Sequence, residues 1–343
     1  MSKVQNWLRL PLMAALVLGG LVFTAQLSYA GFSINGAGSS FAYPVYTKWA
    51  FAYEGATSNK VNYQGVGSGA GIQQVSQGIV EFGGTDMCLS TEDLTKKDML
   101  QFPSLVGGIL VVVNIPGIEN NQLKLSNDVV SKIFMGEIKN WNDAEIAKDN
   151  AGVKLPDMPI TIVHRADGSG TNWNVTYWLS KISKEWDSKV HYGLSVNWPA
   201  GVGGKGNMGI ANYVKQIPGS IGYVEYTFWL QNHLTSVVLQ NKEGKWVEPT
   251  VDAFKEAAAQ ADWKMSNGFC EALLDQGGAK TWPIVSATFV LIPKSPTDQH
   301  KDAGKFFRWG LANGDEAAEA LGYISLPKST KDMIFKYLDN NKF

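Results

Sequence analysis

His164-Arg165-Ala166-Asp167-Gly168-Ser169-Gly170-Thr171 follows a short β-branched run, Ile160-Thr161-Ile162-Val163, and leads into a helical segment carrying Trp173, Tyr177, Trp178 and Leu179. A strand, a Gly/Ser/Thr turn and a helix in that order form one unit of an α/β fold. The turn also has a definite chemistry. Arg presents a rigid fork of donors and a helix start presents unpaired backbone N–H groups, which together suit a desolvated oxyanion. Gly36-Ala37-Gly38-Ser39-Ser40-Phe41 and Gly65-Val66-Gly67-Ser68-Gly69-Ala70-Gly71 offer similar chemistry elsewhere. Several such loops in one chain suggest a tetrahedral anion gripped from more than one side.

Outward from this stretch, strands and helices keep alternating. Val61-Asn62-Tyr63, Ile79-Val80-Glu81-Phe82, Ile109 to Val113 and Ile221-Gly222-Tyr223-Val224 are short, β-branched and bounded by Gly or Pro, as strands are. Trp282-Pro283-Ile284 and Thr288 to Ile292 extend the set. Helices are expected after Ser126, with Val129, Val130, Ile133 and Phe134 on one face, and from Val251 to Ala261 after a Thr250 cap. A further helix is expected from Ala303 to Leu311, and Ser68 opens one with Ile72, Val75 and Ile79 on its apolar face. The fold class is α/β, in two lobes with open sheets. No low-complexity linker divides them, so strands crossing between the lobes are expected to act as hinges, at Val111 to Asn114 and Gly222 to Tyr226.

The N-terminus has a different character. Lys3 and Arg9 precede an apolar run from Leu10 to about Ala25, followed by Ser28-Tyr29-Ala30. This is the charged, apolar, small-residue order of a secretory signal peptide over residues 1–30, cleaved after Ala30. The apolar run contains Pro11, Gly19 and Gly20 and is shorter than the ~20 residues a spanning helix needs. The expected location is the periplasm.

The whole chain has 343 residues, with 30 basic and 31 acidic side chains. Without Lys3 and Arg9 the balance is 28 against 31, or −3. Such a chain makes a poor nucleic-acid partner and attracts no anion through its overall field. Anion affinity must then come from local dipoles and one or two placed cations. Four histidines show no ligand spacing among themselves or with the two cysteines, so neither metal nor other cofactor is expected. An even cysteine count in an exported chain favours a Cys88–Cys270 disulfide, the alternative being two separate buried thiols.

The candidate site residues divide by chemistry. Ser40 and Phe41 follow a Gly-Ala-Gly turn ahead of Pro44, offering a hydroxyl and backbone N–H groups. Ser68 reads in the same way, and each would equally serve as an ordinary helix cap. Asp86, at the end of Gly83-Gly84-Thr85-Asp86, could be a solvated loop acid or a cap for a helix starting near Thr91, or the selective element of an anion site. A carboxylate repels a bound anion unless that anion has a proton to donate, which phosphate has at neutral pH and sulfate lacks. Arg165 is expected to pair with Asp167, while Ser169, Gly170 and Thr171 supply hydroxyl and N–H donors, the alternative being a surface ion pair ahead of a capped helix. The run Gly201 to Asn207 lacks the order of a nucleotide P-loop and reads as a structural turn near a cleft mouth.

In combination, GAGSSFAYPVYTKWA (36–50), VNYQGVGSGAGIQQV (61–75), VEFGGTD (80–86), HRADGSGTNW (164–173), GGKGN (203–207) and PGSIGYVEY (218–226) resemble the periplasmic phosphate-binding proteins of bacterial phosphate ABC transporters. The resemblance covers nearly all of the chain after residue 30. It implies a type II periplasmic-binding fold, two lobes with open mixed sheets joined by crossing strands, which closes over one dehydrated inorganic phosphate. It further implies delivery to an inner-membrane ABC permease and a monomeric state. The lobes would divide as 31–112 and 226–343 against 113–225. The family's ligand positions fall on Ser40, Phe41, Ser68 and Asp86 from one lobe and on Arg165, Ser169, Gly170 and Thr171 from the other. Asp167 matches the acid that supports the arginine. Ser40 stands where relatives often have Thr, and Met208 where an acid is frequent.

Two other readings are weighed against this one. A phosphatase needs an activated nucleophile or a metal cluster, and the sequence offers neither a His near a Ser nor grouped carboxylates. His164 would point away from Arg165 on a strand. A phosphate-binding surface or adhesive protein without a permease would share the site and differ only in its partner.

Overall fold

The computed structural model describes residues Gly31–Phe343. The expected signal segment and its cleavage point therefore lie outside the described residues. The fold is organised around one strand, Met99–Asn114, in which every residue but the last is buried. Over Met99 to Gly108 it pairs antiparallel with Val285–Pro293, and over Ile109 to Asn114 it pairs antiparallel with Ser220–Glu225. Beyond Val285–Pro293 come Phe82–Thr85, then Ser33–Gly38 and Lys60–Gln64, these three parallel to one another. Beyond Ser220–Glu225 come Thr161–Arg165 and Val202–Gly204, again parallel. Two parallel triplets thus flank a shared antiparallel ladder, the expected two-lobed α/β architecture.

Helices follow the carboxyl ends of the parallel strands. Gly38 leads through a turn to Tyr43–Thr57, Gln64 to Ser68–Ser76, Arg165 to Gly170–Ile182, and Gly204 to Gly206–Gln216. In open parallel sheets the crevice outside these carboxyl ends is where ligands bind. The backbones of the two halves meet there, with Gly69 N–H donating to the Gly168 carbonyl at 2.8 Å. Gly67 is required at this meeting point: its φ is +101°, and a Cβ would run into the Asp167 carboxylate.

Behind the first triplet lies an aromatic cluster. Phe82 stacks on Tyr63 with centroids 5.7 Å apart and meets Phe307 edge-on at 4.9 Å. Each such buried ring contributes on the order of 1.5–3 kcal/mol, so the strand leading to Asp86 has a firm support. Cys88 and Cys270 are joined as a disulfide, with Cα atoms 5.2 Å apart. Next to it, Gln101 accepts Leu89 N–H at 2.7 Å and donates to the Gly268 carbonyl at 2.9 Å, tying the same two loops together.

Several expected boundaries move. The strand placed at Ile79 to Phe82 occupies Phe82–Thr85, because the preceding helix ends at Ser76 and Gly78 turns the chain with φ +67°. Ile79 consequently lies beyond the helix and is exposed, not on its apolar face. The Thr250-capped helix stops at Ala258, and the helix expected from Ala303 begins at Asp298 behind a Thr297–His300 capping box. The strand expected to run from Trp282 through Ile292 begins at Val285 and ends at Pro293. Ser126 and Thr250 occupy the cap positions expected of them.

Candidate functional site

Three serines at strand-to-helix junctions define the first wall, and they differ in where their protons go. Ser40 Oγ accepts Asn207 N–H at 3.2 Å and Asn207 Nδ2 at 3.0 Å. Ser68 Oγ accepts Asp86 N–H at 3.2 Å and Gly170 N–H at 3.1 Å. With both lone pairs engaged, the proton of each hydroxyl is left to donate. Ser39 Oγ accepts Phe41 N–H at 3.0 Å and Ala42 N–H at 3.3 Å, and its own proton goes to Asp86 Oδ1 at 2.5 Å. Ser39, not Ser40, is therefore the residue that caps the turn into Tyr43–Thr57. The N–H groups of Phe41 and Gly170, expected to face a ligand directly, here each donate to a serine.

Asp86 follows directly on the Phe82–Thr85 strand and is 3% exposed. Thr288 Oγ1, on Val285–Pro293, donates to Oδ1 at 2.7 Å. Burial pushes the Asp86 carboxyl up to about 6, while the hydroxyls of Ser39, Thr288 and Ser68 and the charge of Arg165 pull it down. Asn174 ties the junction together, its Nδ2 reaching the carbonyls of Asp86 at 2.8 Å and Gly170 at 2.9 Å and Ser286 Oγ at 2.8 Å.

Arg165 ends the Thr161–Arg165 strand with its side chain 2% exposed. Nε donates to Asp167 Oδ1 at 2.8 Å and Nη2 to Oδ2 at 2.6 Å, the bidentate geometry that guanidinium and carboxylate favour. Burial pushes the Asp167 carboxyl upward, but the bonds and charge of Arg165, with Gly206 N–H at 3.0 Å, hold it below its ordinary value. Tyr223 fixes the strand end by accepting Arg165 N–H at 3.0 Å and donating to Asn172 Oδ1 at 2.6 Å. Ser169 caps Gly170–Ile182 by accepting Asn172 N–H at 3.0 Å. Thr171 Oγ1 is buried and has no hydrogen-bond partner. His164 turns away and stacks on Trp198 with centroids 5.1 Å apart.

All the sequence-derived site residues thus gather at one crevice, from both halves of the sheet. The Gly201 to Asn207 run is more than the structural turn expected. Gly206 N–H holds Asp167 and Asn207 holds Ser40, because Val202–Gly204 is an edge strand whose carboxyl end opens onto the same crevice. Sequence reasoning missed Ser39, Thr288, Asn174 and Asn207. It also missed Glu225, which is fully buried, with its carboxyl pushed up to about 8 by burial, and which accepts Thr227 N–H at 2.9 Å. Only Ser39 carried a local signal, as the first Ser after a strand and four residues before the helix that begins at Tyr43.

Residues 24–313 match the model of the PBP superfamily domain. The chain is 46% identical over 306 residues to the phosphate-binding protein PstS of Xylella fastidiosa, covering 89% of this chain and 84% of that one. It is 46% identical over 316 residues to the phosphate-binding protein PstS of Pasteurella multocida, covering 92% of each. In structure it resembles a high-affinity periplasmic phosphate-binding protein, PfluDING, bound with phosphate, with a TM-score of 0.71 at 19% identity over 88% of this chain and 92% of that one. At that identity the likeness supports the fold alone, and the fold agrees with the sequence relationship. The chain belongs to the PBP superfamily and, within it, to the family of PstS phosphate-binding proteins.

Proposed function

We propose that the chain binds inorganic phosphate in the crevice between its two halves and delivers it to an inner-membrane ABC permease, acting as a periplasmic binding protein without catalytic activity. The relatives at 46% identity are named as phosphate-binding proteins, which supports the reading. The observation that carries it is a buried carboxylate, Asp86, set among donors. Ser40 and Ser68 have hydroxyl protons to give, Thr171 has an unpartnered hydroxyl, and Arg165 keeps Nη1 outside its pair with Asp167. A tetrahedral oxyanion meets every one of these needs only if it accepts several hydrogen bonds and donates one. Phosphate does so, and sulfate leaves the Asp86 carboxylate facing an anion unpaired, which costs several kcal/mol.

In this reading Ser40, Phe41, Ser68 and Asp86 form one half-site, and Arg165, Ser169, Gly170 and Thr171 form the other, with Asp167 supporting Arg165. The lobes are taken as 31–112 with 226–343, and 113–225. The ladder between Met99–Asn114 and Ser220–Glu225 is the joint about which a monomer closes, the ligand favouring closure because it touches both lobes. Isothermal titration of the protein lacking residues 1–30 at neutral pH tests the proposal. Tight one-to-one phosphate binding is expected, with arsenate weaker and sulfate silent; comparable sulfate binding, or none by phosphate, would overturn it.

A further inference from the structure

Ser39 is the one site serine whose proton is committed inside the protein. Its lone pairs accept two backbone N–H groups, so toward Asp86 it can act only as a donor. Thr288 adds a second hydroxyl on the same oxygen, Oδ1. Both residues are fully buried, so neither hydroxyl has water as an alternative partner. Thr288 is itself held by its carbonyl, which accepts Ser104 Oγ at 3.1 Å, and Ser104 Oγ bonds in turn to Tyr46 Oη at 2.7 Å. Two fixed donors on Oδ1 stabilise the ionised carboxyl and confine any proton on Asp86 to Oδ2.

We propose that Ser39 and Thr288 are positioning residues that set the anion selectivity of the site by holding Asp86 as a hydrogen-bond acceptor. The inference rests on the phosphate reading above. A ligand proton can then be received at Oδ2, while a fully deprotonated oxyanion is refused until Asp86 itself takes a proton. The other groups facing the carboxyl are Arg165, with its partner Asp167, and the phenols of Tyr46, Tyr63 and Tyr323. Burial keeps all three phenols neutral, so within the working pH range the charge on Asp86 answers to Arg165 and to the hydroxyls of Ser39, Thr288 and Ser68.

The test is sulfate affinity measured from pH 5 to pH 8.5 in the wild type and in Ser39→Ala, Thr288→Val and Thr288→Ser. Wild-type sulfate binding is expected to emerge as pH falls through the carboxyl's value of about 6. Removing a donor destabilises the ionised form, so in Ser39→Ala and Thr288→Val the onset moves up by about one pH unit. Since one unit is a tenfold change in protonation, sulfate should bind these variants about tenfold more tightly than wild type at pH 7.5. Thr288→Ser keeps the hydroxyl and should track the wild type. An unmoved onset in the variants would overturn the inference, as would equal weakening of phosphate and sulfate at every pH, or sulfate silence down to pH 5 in all four proteins. If Ser39→Ala does not fold, the Thr288 pair decides alone. Failure of the wild type to bind phosphate at neutral pH would overturn the phosphate reading, a separate result.

Discussion

The two walls of the crevice use opposite means. The wall built on Ser33–Gly38, Lys60–Gln64 and Phe82–Thr85 has one carboxylate, Asp86, surrounded by hydroxyls. The wall built on Thr161–Arg165, Val202–Gly204 and Ser220–Glu225 has a cation, Arg165, already matched by Asp167. Counted formally, these three groups sum to −1, so net charge cannot be what holds an anion here. On the proposed reading, hydroxyls and helix starts would do so instead, each helix start carrying the equivalent of about half a positive charge. On the same reading, the second wall would supply attraction and the first would read whether the ligand has a proton. A neutralised arginine loses long-range pull and keeps its fixed geometry.

If the walls divide the work in this way, substitutions should fail in different manners. Arg165→Ala removes the guanidinium and leaves Asp167 unpaired, with its side chain only 11% exposed. The unpaired Asp167 costs stability in the free and bound protein alike, while the lost charged hydrogen bond to the ligand, worth about 1.5–3 kcal/mol, should lower affinity for phosphate and arsenate together by about tenfold to a hundredfold. Titration calorimetry with a circular dichroism check of folding would show it, and unaltered affinity would remove Arg165 from the site. Asp86→Asn should act on the ranking instead. An amide can donate where the carboxylate only accepts, so the phosphate-to-sulfate ratio should fall by about tenfold or more, read in paired titrations at pH 8. An unchanged ratio would break the comparison at its centre.

Gly170→Ala probes the contact between the walls. An ideal Cβ at Gly170 would lie 2.6 Å from both Asp86 Cβ and Ser68 Oγ, so the halves could not approach as closely. Affinity for every bound oxyanion should drop by roughly tenfold, the cost of a contact worth about 1.4 kcal/mol, with the ranking untouched. Ligand-driven compaction measured by small-angle scattering should shrink in parallel. A change in ranking would mean that Gly170 also takes part in reading the proton.

Much of the crevice was legible because its parts are local. A β-branched run, a Gly-rich turn and a helix start are short-range patterns, and Ser68, Asp86, Arg165 and Thr171 each sit within one. The long strand Met99–Asn114 was legible only in its second half. Pro103, Gly107 and Gly108 read as breaks in a strand, yet the ladder runs through them. Pro103 lies opposite the irregularity at Thr288 and Phe289. Gly107 and Gly108 are there because a Cβ on either would run into the ring of Phe41 or Phe254. Those rings arrive from distant parts of the chain, which no local pattern reports.

Local sequence was enough for the α/β alternation, the Gly/Ser/Thr turns that lead into helices and the pairing of Arg165 with Asp167, because each depends on neighbours within a few residues. Tertiary structure alone decided that Thr288 meets Asp86 across 202 positions and that Asn207 meets Ser40 across 167. It also decided that the Ser39 proton goes to Asp86 while those of Ser40 and Ser68 remain to be given. The physical reason is that a hydroxyl's role depends on which donors and acceptors surround it. In a buried crevice every one of those partners is fixed by how distant strands are brought into register.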